Sequence, residues 1–148
     1  MAAELPAHGF SVRLVEWSAA RAALESVRRA VFIVEQAIPE DMEWDEFDAL
    51  SRHALAVDAA GAPVGCGRLL PDGHVGRLAV LAPLRGVGVG SLLLERLVEM
   101  ARANGHSRIV LNSQVHAMPF YARHGFAAIG DEFMEAGIPH RTMARTLG

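Results

Sequence analysis

The chain has no lysine; all 14 of its basic residues are arginine. A P-loop needs a lysine after its glycines, so phosphate binding of that kind is excluded. Cysteine is nearly absent as well. The single Cys66 allows neither an intrachain disulfide nor a cysteine-based zinc site. The histidines show no H-E-x-x-H or other ligand spacing, so no metal is expected. No apolar run reaches membrane length, because the greasiest stretch, 75–101, is broken by Arg77, Arg85, Glu95 and Arg96. The first ten residues hold Glu4, Pro6 and His8 and no apolar h-region, unlike a secretory signal. A soluble cytoplasmic protein, with no membrane partner, is the expectation. The formal net charge of −3 offers no basic surface for nucleic acid.

Apolar residues make up 51% of the 148, enough for one core of ordinary size. Residues 1–9 read as a flexible tail and 10–148 as a single domain. Phe10 to Trp17 predicts a first strand. Ser18 is the expected N-cap of a helix whose apolar positions are Leu24, Val27, Val31 and Val34. Pro39 stops that helix. Strands are expected at 53–57, 64–70 and 75–81, with turns at 59–63 and 71–73. A Leu-rich amphipathic helix follows and ends at Asn104 and Gly105. The remainder predicts a buried strand at 107–111, a short helix at 117–124 with Pro119 in its first turn, and two final strands. This order implies an α+β fold with a mixed, mostly antiparallel sheet.

The segment that carries chemistry runs from Gly76 to Ser91. A strand, Gly76-Arg-Leu-Ala-Val80, enters a loop with Gly86, Gly88 and Gly90, and a helix starts there. Glycines turn the chain sharply and leave no Cβ between the amides and a ligand. A helix start adds unpaired N–H donors and a positive dipole end, which suits phosphate. Arg85 can add a charge-assisted contact. A dinucleotide fingerprint would place its third glycine one residue later and an acid about 20 residues on; neither is present. A pyrophosphate loop for coenzyme A is the reading left.

Arg85-x-x-Gly88-x-Gly90 resembles the signature of the GNAT superfamily of N-acetyltransferases. Its surroundings strengthen the likeness: the Arg-Leu-Ala-Val strand before it, the Leu-rich helix after it, and Tyr121-x-x-x-Gly125-Phe126 further on. Val31-Phe-Ile-Val34-Glu-Gln36, Glu43, Asp45 and Glu135-x-Gly-Ile-Pro-His140 are similar to the ElaA-type subgroup. The resemblance implies a twisted sheet of six to seven strands flanked by about four helices, with splayed central strands forming the slot for CoA. It implies acetyl-CoA as co-substrate, held by Arg85, Gly86, Val87, Gly88, Val89, Gly90 and Ser91. Leu78, Ala79 and Val80 would bind the pantetheine arm, with Asn112 and Tyr121 beside it. Transfer of acetyl to a small-molecule primary amine by direct attack is the implied reaction. A protein or peptide acceptor, or a non-catalytic CoA-binding sensor, is the alternative, and a homodimer stays open.

Tyr121 resembles the family's general acid; otherwise it is a core-filling aromatic. Its phenol is ordinarily protonated at neutral pH. For the base, Glu35 comes first, because it lies where the family's first helix flanks the acceptor. His116 is second, since imidazole titrates near neutrality, and His140 third. Gln36, Trp44 and His140 are expected on the acceptor. Seven of the 17 acids fall between Glu35 and Asp48. That segment reads as a solvated loop or as a rim for a cationic amine, and Trp44 and Phe47 inside it suggest a packing lid. Cys66 reads as a small buried side chain. Arg68 and Arg77 could line the slot or point outward.

Overall fold

The computed structural model describes residues 9–148. The expected tail therefore lies outside the described residues, except for Gly9.

Seven strands form one sheet in the order β1-β2-β3-β4-β5-β7-β6. They are β1 (Phe10–Val15), β2 (Arg52–Asp58), β3 (Pro63–Leu69), β4 (His74–Val80), β5 (Arg108–Gln114), β6 (Ala127–Glu135) and β7 (Ile138–Thr146). All neighbours run antiparallel except β4 and β5. Four helices flank the sheet: α1 (Trp17–Arg28), α2 (Glu40–Glu43), α3 (Val89–Ala103) and α4 (Met118–Arg123). The α+β architecture is the one expected.

β2 and β3 are buried on both faces. Ala54 and Ala56 of β2 join a core with Leu93, Leu94, Leu97 and Val98 of α3. Leu55 and Val57 turn the other way, onto Leu24 and Val27 of α1 and Val31 just beyond it. This is period-two alternation placed between two helical stripes. Each fully buried Leu contributes roughly 1.5–3 kcal/mol. Close packing on the α3 side depends on absent side chains in β3. A Cβ on Gly65 would lie 2.9 Å from Leu93 Cδ1, and one on Gly67 would lie 2.8 Å from Leu97 Cδ1.

Two local expectations change. Ser18 does not cap α1; the cap position is Glu16, with no side-chain cap bond, and the helix starts at Trp17. Val34 is exposed, while Phe32 is buried. The cause is a π-helical continuation of α1 over Arg29–Glu35, closed by Gln36 N–H donating to the Val31 carbonyl. Wider turns break the 3.6-residue period, and such stretches are frequent at functional sites. This one delivers Glu35 and Gln36 to the central cleft.

Candidate active site

β4 and β5 pair only at His74 with Val110 and Val75 with Leu111, and then they part. A bulge accompanies the split. Between the pairs Cys66–Ala79 and Arg68–Gly76, β3 advances two residues and β4 advances three. The extra residue is absorbed around Arg77, whose φ of 51° lies in the left-handed region. Beyond this point β4 has no strand on its β5 side. Leu81 N–H donates back to Val64 on the β3 side. Alternation therefore turns the Val80 peptide groups toward the opening.

Two cavities meet along this free edge. One, of about 410 Å³, is lined by Leu78, Ala79, Val80, Arg85, Gly86, Gly88, Gly90 and Ser91, with Phe120, Tyr121 and Arg123 opposite. Gly86 and Gly88 have φ of 84° and 98°, and a Cβ on either would project into open space. Gly88 is the N-cap of α3, whose first helical hydrogen bond runs from Leu92 N–H to the Gly88 carbonyl. The N–H groups of Val89, Gly90 and Ser91 thus head the helix without helical partners. This is a cradle that suits a diphosphate. The side chain of Val89 is fully buried in the core, and Val87 does not line the cavity. These two positions can contribute main chain only. Arg85 is already engaged: its terminal nitrogens donate to both Glu35 oxygens at 2.6 and 2.7 Å, and its Nε donates to the Val80 carbonyl.

The second cavity, of about 850 Å³, lies on the other side of β4. It gathers Glu35, Gln36, Asn112, His116 and His140, far apart in sequence, and Tyr121 lines both cavities. Burial pushes the Tyr121 phenol up to about 12. The Arg85 guanidinium holds the Glu35 carboxyl below its ordinary range. His116 Nε2 lies 2.7 Å from Gln114 Oε1, and Gln114 Nε2 donates to Gln36 Oε1 at 2.7 Å. His140 stacks on Phe133, its Nδ1 lies 2.7 Å from the Ile138 carbonyl, and its Nε2 is 3.7 Å from Glu135. Asn112 Oδ1 accepts from Thr142, and Asn112 borders this cavity but not the glycine-loop cavity.

Residues 18–147 match the family model of the acetyltransferase (GNAT) domain. The chain belongs to the GNAT acetyltransferase family. ElaA from Escherichia coli is 33% identical over 131 residues, covering 83% of this chain and 85% of ElaA. The ElaA crystal structure superposes with a TM-score of 0.82 at 30% identity, covering 92% of this chain and 99% of that one. YjcF of Bacillus subtilis, described as an uncharacterized N-acetyltransferase, is 39% identical over 80% of this chain and 87% of its own. An acyl-CoA N-acyltransferase from Pseudomonas aeruginosa matches with a TM-score of 0.82 at 29% identity, covering 93% of this chain and 99% of that one. The match to the GNAT fold with an ElaA-like subgroup agrees with the motifs in the sequence.

The acidic segment of this GNAT domain is neither a solvated loop nor a simple rim. Glu43 and Asp48 are buried, and so are Arg28 and Arg68. Arg28 donates to Glu43 at 2.8 Å and to Asp48 at 2.6 Å. Arg68 donates to Asp45 at 2.7 Å and to Asp48 at 2.8 Å. Arg77 Nε lies 3.0 Å from Glu43 Oε2. Burial raises the Glu43 carboxyl against the pull of three arginines, while the hydrogen bond from Arg68 lowers Asp45. Arg68 and Arg77 therefore do not point outward; both border the second cavity. Trp44 does not border it. Its ring stacks under Arg28 and Arg29, and its Nε1 donates to Glu40, so the expected acceptor contact is corrected to a packing role.

Cys66 is buried within the GNAT sheet and its thiol is pushed up to about 12, which suits filling and not nucleophilic attack. The sequence reading passed over Gln114, Phe120 and Arg123. Phe120 directly precedes Tyr121 in α4, a proximity that could have revealed it. Gln114 carried no such signal, because its role comes from a partner 78 residues away.

Proposed function

We propose that the protein transfers acetyl from acetyl-CoA to the primary amine of a small molecule by direct attack on the thioester. The observation that carries this reading is the placement of Tyr121 where the two cavities join along the unpaired edge of β4. On one side, Gly86 to Ser91 would hold the diphosphate through main-chain N–H groups. The free edge at Leu78 to Val80 would bind the pantetheine arm as an added strand would, and a main-chain N–H there would stabilise negative charge on the carbonyl oxygen. Acetyl-CoA supplies an activated acyl carbon with a thiolate leaving group. Holding that carbon and the amine in line supplies much of the acceleration.

Tyr121 would donate a hydrogen bond to the departing sulfur. A phenol at about 12 stays protonated throughout the working range. Full proton transfer from it to a thiolate, whose conjugate acid is ordinarily near 8.5, would be uphill, so hydrogen-bond donation is the step that fits. For the base, His116 replaces Glu35 as first choice. Glu35 is ion-paired on both oxygens and held acidic. His116 borders the acceptor side, and among the described residues only its Nε2 is engaged, by Gln114. Gln36 and His140 would line the acceptor.

The test mixes protein, acetyl-CoA and an amine panel, follows free thiol, and identifies acetylated products by mass spectrometry. Tyr121→Phe is expected to lower kcat about 100-fold while leaving the Kd for CoA within about twofold. Unchanged turnover in that variant removes Tyr121 from the reaction. Thiol release without any acetylated amine would refute the acceptor class.

A further inference from the structure

Beside the glycine loop lies a hydrogen-bonded line of side chains that acetyl transfer leaves unused. Ser91 Oγ is 2.9 Å from His124 Nε2, and His124 Nδ1 is 2.8 Å from Glu95 Oε2. Ser91 and Glu95 sit one turn apart on α3, so both reach the same imidazole at the end of α4. Arg145 of β7 closes the far side. Its Nη1 lies 3.4 Å from the same Glu95 oxygen and donates to the His124 carbonyl at 3.0 Å. The Phe120 ring packs 5.1 Å from the imidazole. Arg123 precedes His124 in the chain and lines the loop cavity together with Ser91.

The proton positions follow from donor and acceptor chemistry. A carboxylate only accepts, so His124 Nδ1 carries hydrogen toward Glu95. Nε2 is then the variable atom. When the ring is neutral, Nε2 accepts the Ser91 proton, and the serine presents lone pairs to the cavity. A phosphate oxygen meeting those lone pairs is repelled. When the ring is protonated, Nε2–H donates to Ser91 Oγ. The serine hydroxyl is then released to donate into the cavity, and one more positive charge stands behind it.

We propose that His124 is a proton-coupled positioning residue: diphosphate binding on the glycine loop draws a proton onto His124, which turns the Ser91 hydroxyl toward the phosphate. The proposal rests on the coenzyme A reading of that loop. It makes affinity for the carrier weaker as pH rises. One coupled proton limits the change to about tenfold per pH unit.

Calorimetry with dephospho-CoA tests this. That probe keeps the diphosphate but lacks the 3′-phosphate monoester, which itself titrates near pH 6. Titrations at pH 7.5 in buffers of different ionisation enthalpy report protons taken up on binding. The wild-type protein is expected to take up protons on binding, with Kd rising as pH rises by up to about tenfold per unit. His124→Gln keeps a hydrogen-bonding side chain but cannot titrate. It should bind with no proton uptake and a flat pH dependence, and Ser91→Ala should also lose the uptake. Saturable binding with no uptake by the wild-type protein overturns the proposal and leaves the cofactor reading standing, whether or not the variants fold. Uptake that persists in His124→Gln overturns it too. Absence of any binding overturns the cofactor reading, and the proposal with it.

Discussion

The glycine loop, Arg85 to Ser91, and the acidic segment, Glu40 to Asp48, are both short stretches bordering one cleft, yet they are built in opposite ways. The loop presents main chain. Its glycines at 86 and 88 adopt positive φ, and added Cβ atoms would meet nothing. Its shape therefore depends on what is missing from those residues. The acidic segment presents side chains. Its carboxylates are defined by Arg28, Arg68 and Arg77, which arrive from α1, β3 and β4. If the loop holds the diphosphate as proposed, the first kind of region should be alterable with little effect on the fold and a large effect on ligand. The second should behave the other way round.

The largest expected effect breaks the comparison on the structural side. Asp48→Ala removes the acceptor shared by Arg28 and Arg68 at 2.6 and 2.8 Å and leaves two buried guanidiniums short of a partner. Losing one member of a buried ion network typically costs about 3–5 kcal/mol. Chemical denaturation should show that loss. A change below about 1 kcal/mol would mean the network is solvated in solution.

Gly88→Glu probes the other side. The residue has φ of 98°, so a side chain there strains the backbone by about 1–2 kcal/mol. Most of the damage should fall on binding, through bulk and negative charge set against the diphosphate. An affinity loss of about 100-fold or more for CoA is expected by calorimetry, with a cooperative thermal transition retained. Equal affinity in the variant would show that the diphosphate lies elsewhere.

This contrast also explains what could be read from the sequence. The glycine loop was legible because its information is local: six residues, a strand before and a helix after. The strands and the α3 stripe were legible for the same reason, through period-two and 3.6-residue patterning. The Arg28 network was not, because its pairs are separated by 15 to 34 residues and alternation alone does not reveal whether Arg68 and Arg77 face a carboxylate or water. The exposed Val34 was misread because a π-helical turn shifts the phase without leaving a residue signature. Glu35 was placed on the cleft as expected, but its pairing with Arg85, 50 residues away, lay beyond reach.

That pairing sharpens the comparison within the cleft itself. His116→Ala is expected to lower kcat/KM about 100-fold, the loss ordinarily seen when a positioned base is removed, and steady-state kinetics reads it. Glu35→Gln should cost much less, about tenfold or below, because its pairing with Arg85 holds the Glu35 carboxyl below the ordinary range and makes it a weak base. The reverse ranking would restore Glu35 as the base.

The smallest expected effect concerns Trp44, which sequence placed on the acceptor and the structure places on arginine. Its ring centroid lies 5.1 Å from the Arg28 guanidinium carbon and 5.7 Å from that of Arg29. Cation–π contacts of this kind contribute about 0.5–2 kcal/mol. Trp44→Leu keeps apolar bulk and loses the quadrupole, so stability should fall within that range while KM for the acceptor stays within about twofold. If KM rises sharply with stability unchanged, Trp44 reaches the acceptor in the working complex. The acidic segment would then have to swing toward the cleft, and the division between a loop proposed to bind and a segment that braces would no longer hold.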